Sequence, residues 1–137
     1  AWCVAGPRPG EPYVGPCLQA LDRALDQLED AGLMVLLDLH GPVGGVNSEA
    51  PTGHQDAAWQ PEHFDTVASL AVLKTVAERY ANRFCVCGLG VANEPAESLS
   101  AKDLAHYYED AIRTTRQAGM RPGQVTVLLP IFTERRL

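Results

Sequence analysis

Phe84-Cys85-Val86-Cys87-Gly88-Leu89-Gly90-Val91-Ala92-Asn93-Glu94-Pro95 is an apolar, glycine-punctuated run that stops abruptly in polar residues. Such a run reads as a strand buried on both faces, and Pro95, which lacks a backbone N–H, marks its end. The segments around it repeat one alternation. Upstream, Leu33-Met34-Val35-Leu36-Leu37-Asp38-Leu39-His40 is a second nearly continuous apolar run, again ending in a polar residue. A helix from Pro16 to Ala31 precedes it, with Leu18, Leu21, Leu25 and Leu28 as its apolar stripe and Gly32 placed to end it. Between the two strands a helix is predicted from Pro61 to about Asn82, with Val67, Leu70, Leu73, Val76, Ala77 and Tyr80 on its buried side. Downstream, Ser100-Ala101-Lys102-Asp103 resembles a capping box, opening a helix whose stripe is Leu104, Tyr107 or Tyr108, Ala111 and Thr115, with Gly119 at its end. A last strand is expected over Val125 to Leu129.

Strands alternating with helices imply βαβ units, a parallel sheet and right-handed crossovers. The expected fold class is therefore α/β, with about three βα units. Two closures are open: a doubly wound sheet or a (β/α)8 barrel. Gly41-Pro42-Val43-Gly44-Gly45 follows a strand but leads into a long loop rather than a helix, so it is not a dinucleotide-binding fingerprint. Polar residues gather where strands end, the place where barrel enzymes keep their chemistry.

Glu94 is the strongest candidate. A carboxylate at the C-terminal end of a buried strand, set partly in a low-dielectric wall, has its pKa raised and is suited to proton transfer. Asn93 beside it can bond a substrate hydroxyl. The plain reading is a helix-entry turn with a solvated Glu. His40 ends the adjacent strand and either lines the same pocket or bonds a neighbouring strand. Asp38 alternates onto the same side as His40 and is a candidate buried partner that orients it. The long loop from Gly41 to about Gln60 carries Asn47, Glu49, His54, Asp56 and Trp59. Trp59 is read either as a platform that stacks on a sugar ring or as a cap on the core.

The rest of the composition excludes several classes. With 137 residues the chain suits one hydrophobic core, and 46% apolar with 20% charged residues is a globular composition. A net charge of -6 with scattered basic residues argues against a nucleic-acid partner. No apolar run approaches the roughly 18 residues of a membrane span, and Ala1-Trp2-Cys3-Val4 has no signal-peptide pattern. His40, His54, His63 and His106 lack metal-site spacing, so no metal is expected. Cys3, Cys17, Cys85 and Cys87 are too few for a disulfide scaffold; Cys85 and Cys87 should point the same way from one strand, as ordinary buried thiols.

Leu36-Leu37-Asp38-Leu39-His40-Gly41, a glycine-rich loop with Asn47, Ala77-Glu78-Arg79-Tyr80 and Val91-Ala92-Asn93-Glu94-Pro95 together resemble glycoside hydrolase family 5, in particular its exo-β-1,3-glucanase branch. Ala1-Trp2 and Glu11-Pro12-Tyr13-Val14 look like two further landmarks of that branch. The resemblance implies a (β/α)8 (TIM) barrel that hydrolyses O-glycosyl bonds of β-glucans or β-glucosides with retention, without cofactor or metal. It makes Glu94 the general acid/base, has Asn93 bind the sugar 2-hydroxyl, and places His40 and Asn47 along the subsite at the scissile bond. Gly44-Gly45-Val46-Asn47 departs from the Gly-Ser-Gln-Asn usual there. The expected register makes the whole chain, residues 1–137, one partial barrel domain running from the end of strand two to strand five. The family nucleophile, a Glu ending strand seven, would then lie outside it, and the isolated chain would be inactive and prone to self-association through unpaired strand edges. The alternatives are a carbohydrate-binding pseudo-enzyme of the same fold, and an open α/β domain in which Asn93-Glu94-Pro95 is accidental.

Overall fold

The computed structural model describes residues 4, 17–48, 59–123 and 125–126. Among the described residues, three helices longer than one turn cover one face of a three-stranded parallel sheet. Helix α1 (Leu18–Asp30) is followed by β1 (Val35–Asp38), a short 3-10 turn (Pro61–His63), α2 (Thr66–Tyr80), β2 (Val86–Gly90), α3 (Ala101–Gln117) and β3 (Val125–Thr126). Sheet order is β1-β2-β3, both pairings are parallel, and β2 is central. This is the α/β class with three βα units expected from the alternation. The final strand is described only at Val125 and Thr126; its expected remainder lies outside the described residues.

Local chemistry sets the element ends. After α1, the Gly32 N–H donates to the Glu29 carbonyl and the Leu33 N–H to the Leu28 carbonyl, and α3 closes the same way through Gly119 and Met120. Both are Schellman closures, which satisfy carbonyls that the helix itself leaves unpaired. Ser100 caps α3 as the sequence indicates, its hydroxyl accepting from the Asp103 N–H at 3.1 Å. The middle helix starts later than predicted. Asp65 caps it by accepting from the Ala68 N–H, and Pro61 begins the separate 3-10 turn instead.

The helix stripes pack much as their spacing implies. Leu25, Leu73, Ala77, Tyr80, Leu104, Tyr107, Tyr108, Ala111 and Thr115 are all buried. Val67 is 77% exposed, contrary to expectation. The inward face of α2 runs instead through Ser69, Val72, Leu73, Ala77 and Tyr80, a consistent three-to-four-residue period that passes Val67 by. Ser69 can be buried because its hydroxyl accepts the Val43 N–H at 2.9 Å.

The strands correct two expectations. β1 is not buried on both faces: burial alternates along it, with Val35 and Leu37 packed toward the helices and Leu36 46% exposed. The register explains this, because Leu36 faces Gly88 and Asp38 faces Gly90, so the residues directly opposite them offer no side chains to cover them. Nor do Cys85 and Cys87 point the same way. A bulge makes Val35 pair with Val86 and Leu36 with Gly88, leaving Cys87 as the extra residue. Cys85 is buried and Cys87 exposed, both as free thiols, while Cys17 is disulfide-bonded rather than an ordinary thiol.

A charged staple joins α1 to α2. The Arg79 guanidinium grips the Asp22 carboxylate through two N–H groups, the Tyr80 hydroxyl donates to Asp22 at 2.9 Å, and Arg83 pairs with Asp26 at 2.6 Å and Glu29 at 3.4 Å. The Ala77-Glu78-Arg79-Tyr80 motif therefore has a structural job, locking two neighbouring helices in register.

Candidate active site at the strand ends

His40 and Asn93-Glu94 follow the C-terminal ends of β1 and β2, which are adjacent and parallel. They therefore share one end of the sheet, as the sequence reading requires. The link between them is the Asn93 amide nitrogen, 3.5 Å from His40 Nε2. His40 Nδ1 lies 3.0 Å from Asp38 Oδ2 and donates to it. Asp38 is thus the partner of His40, though exposed rather than buried as expected. It leans over Gly90, where a Cβ would come within 2.5 Å of Asp38 Oδ1. Only a residue without a side chain leaves that carboxylate its place.

Glu94 departs from the strand in a way the sequence did not indicate. Its φ is +43°, and it is the one positive-φ residue other than glycine among those described. For such a residue the left-handed region costs about 1–2 kcal/mol, so the surroundings must hold it there. They do so through the loop after β1. The Asn47 side-chain amide donates to the Glu94 carbonyl at 2.7 Å, and the Ala96 N–H donates to the Val46 carbonyl at 2.9 Å. Asn47 is only 7% exposed. Its visible task is to hold the backbone of Glu94, where the family resemblance had it lining a subsite. Leaving the sheet at this turn, the Glu94 side chain is exposed and not set into an apolar wall.

The loop is itself anchored. The Asp65 N–H donates to the Val43 carbonyl, and Gly44 passes so close to the 3-10 turn that a Cβ there would fall on the His63 carbonyl oxygen. The Trp59 indole N–H donates to the Gly44 carbonyl at 3.0 Å, and the ring is 7% exposed. This favours the core-cap reading of Trp59 over the stacking platform. A buried indole tied to the loop backbone serves to hold that loop rather than to present a ring face to solvent. Glu49, His54 and Asp56 lie outside the described residues.

From the helix side, the Tyr107 hydroxyl donates to the Val91 carbonyl at 2.7 Å, pinning the backbone two residues before Asn93. Burial pushes the Tyr107 hydroxyl pKa well up, so it remains a neutral donor. Sequence reasoning found Tyr107 as a core residue and gave no sign of this bond. The described residues contain no group of three His, Cys, Asp or Glu side chains placed to hold a metal, and no helix long and apolar enough to cross a membrane.

A parallel strand–helix repeat with its polar residues at the C-terminal strand ends fits a piece of a (β/α)8 barrel or of an open doubly wound sheet, and the family match selects the barrel. A family model described as cellulase (glycosyl hydrolase family 5) matches residues 12–132. The chain belongs to glycosyl hydrolase family 5. It is 36% identical over 115 residues to the protein named "Probable glucan 1,3-beta-glucosidase A" from Aspergillus niger, a match covering 81% of this chain and 27% of that one. It is 35% identical over 115 residues to the glucan 1,3-beta-glucosidase of Blumeria graminis, covering 81% and 26%. The chain spans about a quarter of the length of these curated relatives. The fold is also that of endo-glycoceramidase II from Rhodococcus sp., with TM-score 0.61 at 22% identity, over 93% of this chain and 39% of that structure.

Proposed function

We propose that the protein carrying these residues is a retaining glycoside hydrolase acting on β-glucans or β-glucosides, with Glu94 as its general acid/base. The observation that carries this reading is the meeting of His40 and Asn93 at the C-terminal ends of two adjacent strands, with Glu94 held by its backbone beside them. Membership of family 5 and the printed names of the glucan 1,3-beta-glucosidase relatives support the substrate class. In this reading residues 1–137 are part of a single catalytic barrel domain. Asn93 holds the sugar 2-hydroxyl, His40 borders the same subsite, and Asn47 serves the site by holding Glu94.

Glu94 protonates the departing glycosidic oxygen and later takes the proton of the incoming water. Retention requires a second carboxylate about 5–5.5 Å away to form the glycosyl-enzyme; no residue described here is assigned that role. The chemistry asks for two carboxylates and no metal or cofactor.

The test is Glu94→Gln in the active protein. Hydrolysis of an unactivated glucan is expected to fall by about 10²–10⁴ or more. Formation of the glycosyl-enzyme from an aryl glucoside with a good leaving group should suffer far less, while its breakdown stalls. Azide, which attacks without a base, should then restore turnover and yield the β-glucosyl azide. Little loss of activity and no response to azide would return Glu94 to a solvated turn residue. An α-azide product would make it the nucleophile.

A further inference from the structure

Asp38, His40 and Asn93 form a short relay that the proposed chemistry does not by itself require. Asp38 ends β1, His40 lies two residues on, and Asn93 reaches the imidazole from across the sheet. An ionised carboxylate can only accept, so a neutral His40 bonded to Asp38 carries its proton on Nδ1 and offers Nε2 as a lone pair. The group 3.5 Å from that lone pair must then be a donor, which the Asn93 amide nitrogen is. The same assignment turns the Asn93 carbonyl oxygen away from His40. An amide's two ends look alike in shape, and only such a partner decides which way it points.

A second observation stands apart from these hydrogen bonds. Gly90 pairs with Asp38 across the sheet, and a Cβ at that position would lie 2.5 Å from Asp38 Oδ1. The strand therefore carries a socket for the carboxylate opposite it. An exposed Asp–His pair without such a seat would be one rotamer among several.

We propose that Asp38, seated over Gly90, is a positioning residue: it fixes the Nδ1–H tautomer of His40 and thereby orients the Asn93 amide with its oxygen free to accept a substrate hydroxyl. The hydroxyl-binding consequence rests on the glycosidase reading above; the tautomer does not. Asp38→Leu keeps nearly the same shape but removes the acceptor, so nothing holds the proton on Nδ1; His40 then reverts to the Nε2–H tautomer that a free imidazole prefers, and the Asn93 amide turns its oxygen toward that N–H. In serine proteases an Asp holds the histidine tautomer in the same way, and losing that hold costs about 10⁴ in rate.

The experiment is solid-state ¹⁵N spectroscopy on histidine-labelled protein, which reads the tautomer whether the chain is monomeric or associated. The sequence has four histidines, and the His40 signals are those lost in His40→Gln. The wild type should show His40 protonated at Nδ1 and bare at Nε2, and Asp38→Leu should move the proton largely to Nε2 while the other histidine signals stay put. Gly90→Ala leaves Asp38 and His40 chemically intact and only fills the socket; it should give a mixture of tautomers, and it stands as the test if Asp38→Leu disturbs the fold. A wild-type His40 protonated at Nε2, or a tautomer unmoved in a folded variant, overturns the proposal. If the tautomer inverts but no glycoside is hydrolysed, the functional reading fails and the relay stands. If hydrolysis is present and the tautomer does not move, the reverse holds.

Discussion

Asn47 and Glu94 are 47 residues apart in sequence and one hydrogen bond apart in space. That bond and the left-handed φ of Glu94 explain each other: the turn aims the carboxylate off the sheet, and the buried amide keeps the turn from relaxing. Asn47→Ala removes the donor to the part-buried Glu94 carbonyl, and a lost hydrogen bond of this kind costs about 0.5–1.5 kcal/mol. Denaturant unfolding of the variant should show a loss of that size, with an unchanged slope. Equal stability of the two proteins would mean that the carbonyl is satisfied without Asn47. Asn47→Asp should be worse than Ala, because it sets a carboxylate oxygen against a carbonyl. A similar economy of groups appears at Trp59, whose N–H is bonded to the loop backbone and whose ring is buried, so that a candidate for sugar contact becomes a candidate for stability.

Helices α1 and α2 are held by apolar contact and by the Asp22–Arg79–Tyr80 cluster. The Arg79 guanidinium holds the Asp22 carboxyl down at about 2, below its ordinary 3.8, with help from the Tyr80 hydroxyl. The folded-state value is depressed, so the stabilisation is fully present above the unfolded value and lost as pH falls through the folded one. Asp22→Asn should therefore lower the melting temperature by a constant amount down to about pH 4–5, and the gap should close toward about pH 2. Parallel thermal melts of the two proteins across that range make the measurement. A gap that widened in acid would contradict the assignment. The cluster lies at the surface, and added salt should narrow the gap at neutral pH. At the element scale the family motif around Tyr80 thus serves helix packing, while the motif ending in Glu94 serves the strand-end site.

For the whole molecule, the arrangement of layers has a consequence for behaviour in solution. β1 is an outer strand of the described sheet, and Leu33, Met34, Leu36 and Phe84 are exposed on and around it. An open parallel edge beside exposed apolar side chains is a template for association. The 137-residue chain taken alone is expected to form oligomers or larger species at micromolar concentration, by light scattering coupled to size exclusion. Leu36→Lys, on the face where Gly88 leaves room, should shift the distribution toward monomer. A sharply melting monomer at high concentration would show that these surfaces are not adhesive.

The alternation of α1, β1, α2, β2, α3 and β3 was readable without coordinates because its signals are local. Apolar spacing, the Ser100 cap and the glycines after α1 and α3 act within a few residues of themselves. The Asn93-Glu94 pair was readable for a related reason, since a polar group ending a buried strand stands out against its neighbours. The fate of Trp59, the exposure of Val67 and Leu36, the split between Cys85 and Cys87, and the left-handed turn at Glu94 were not. Each depends on what lies across the sheet or beneath the loop: a bulge that shifts register by one residue, glycines opposite β1, a serine hydroxyl that lets α2 turn a different face inward. The sequence determined which elements form and where its candidate site lies along the chain. Tertiary structure alone decided which side chains are buried and which backbone each holds, because those outcomes depend on partners tens of residues away.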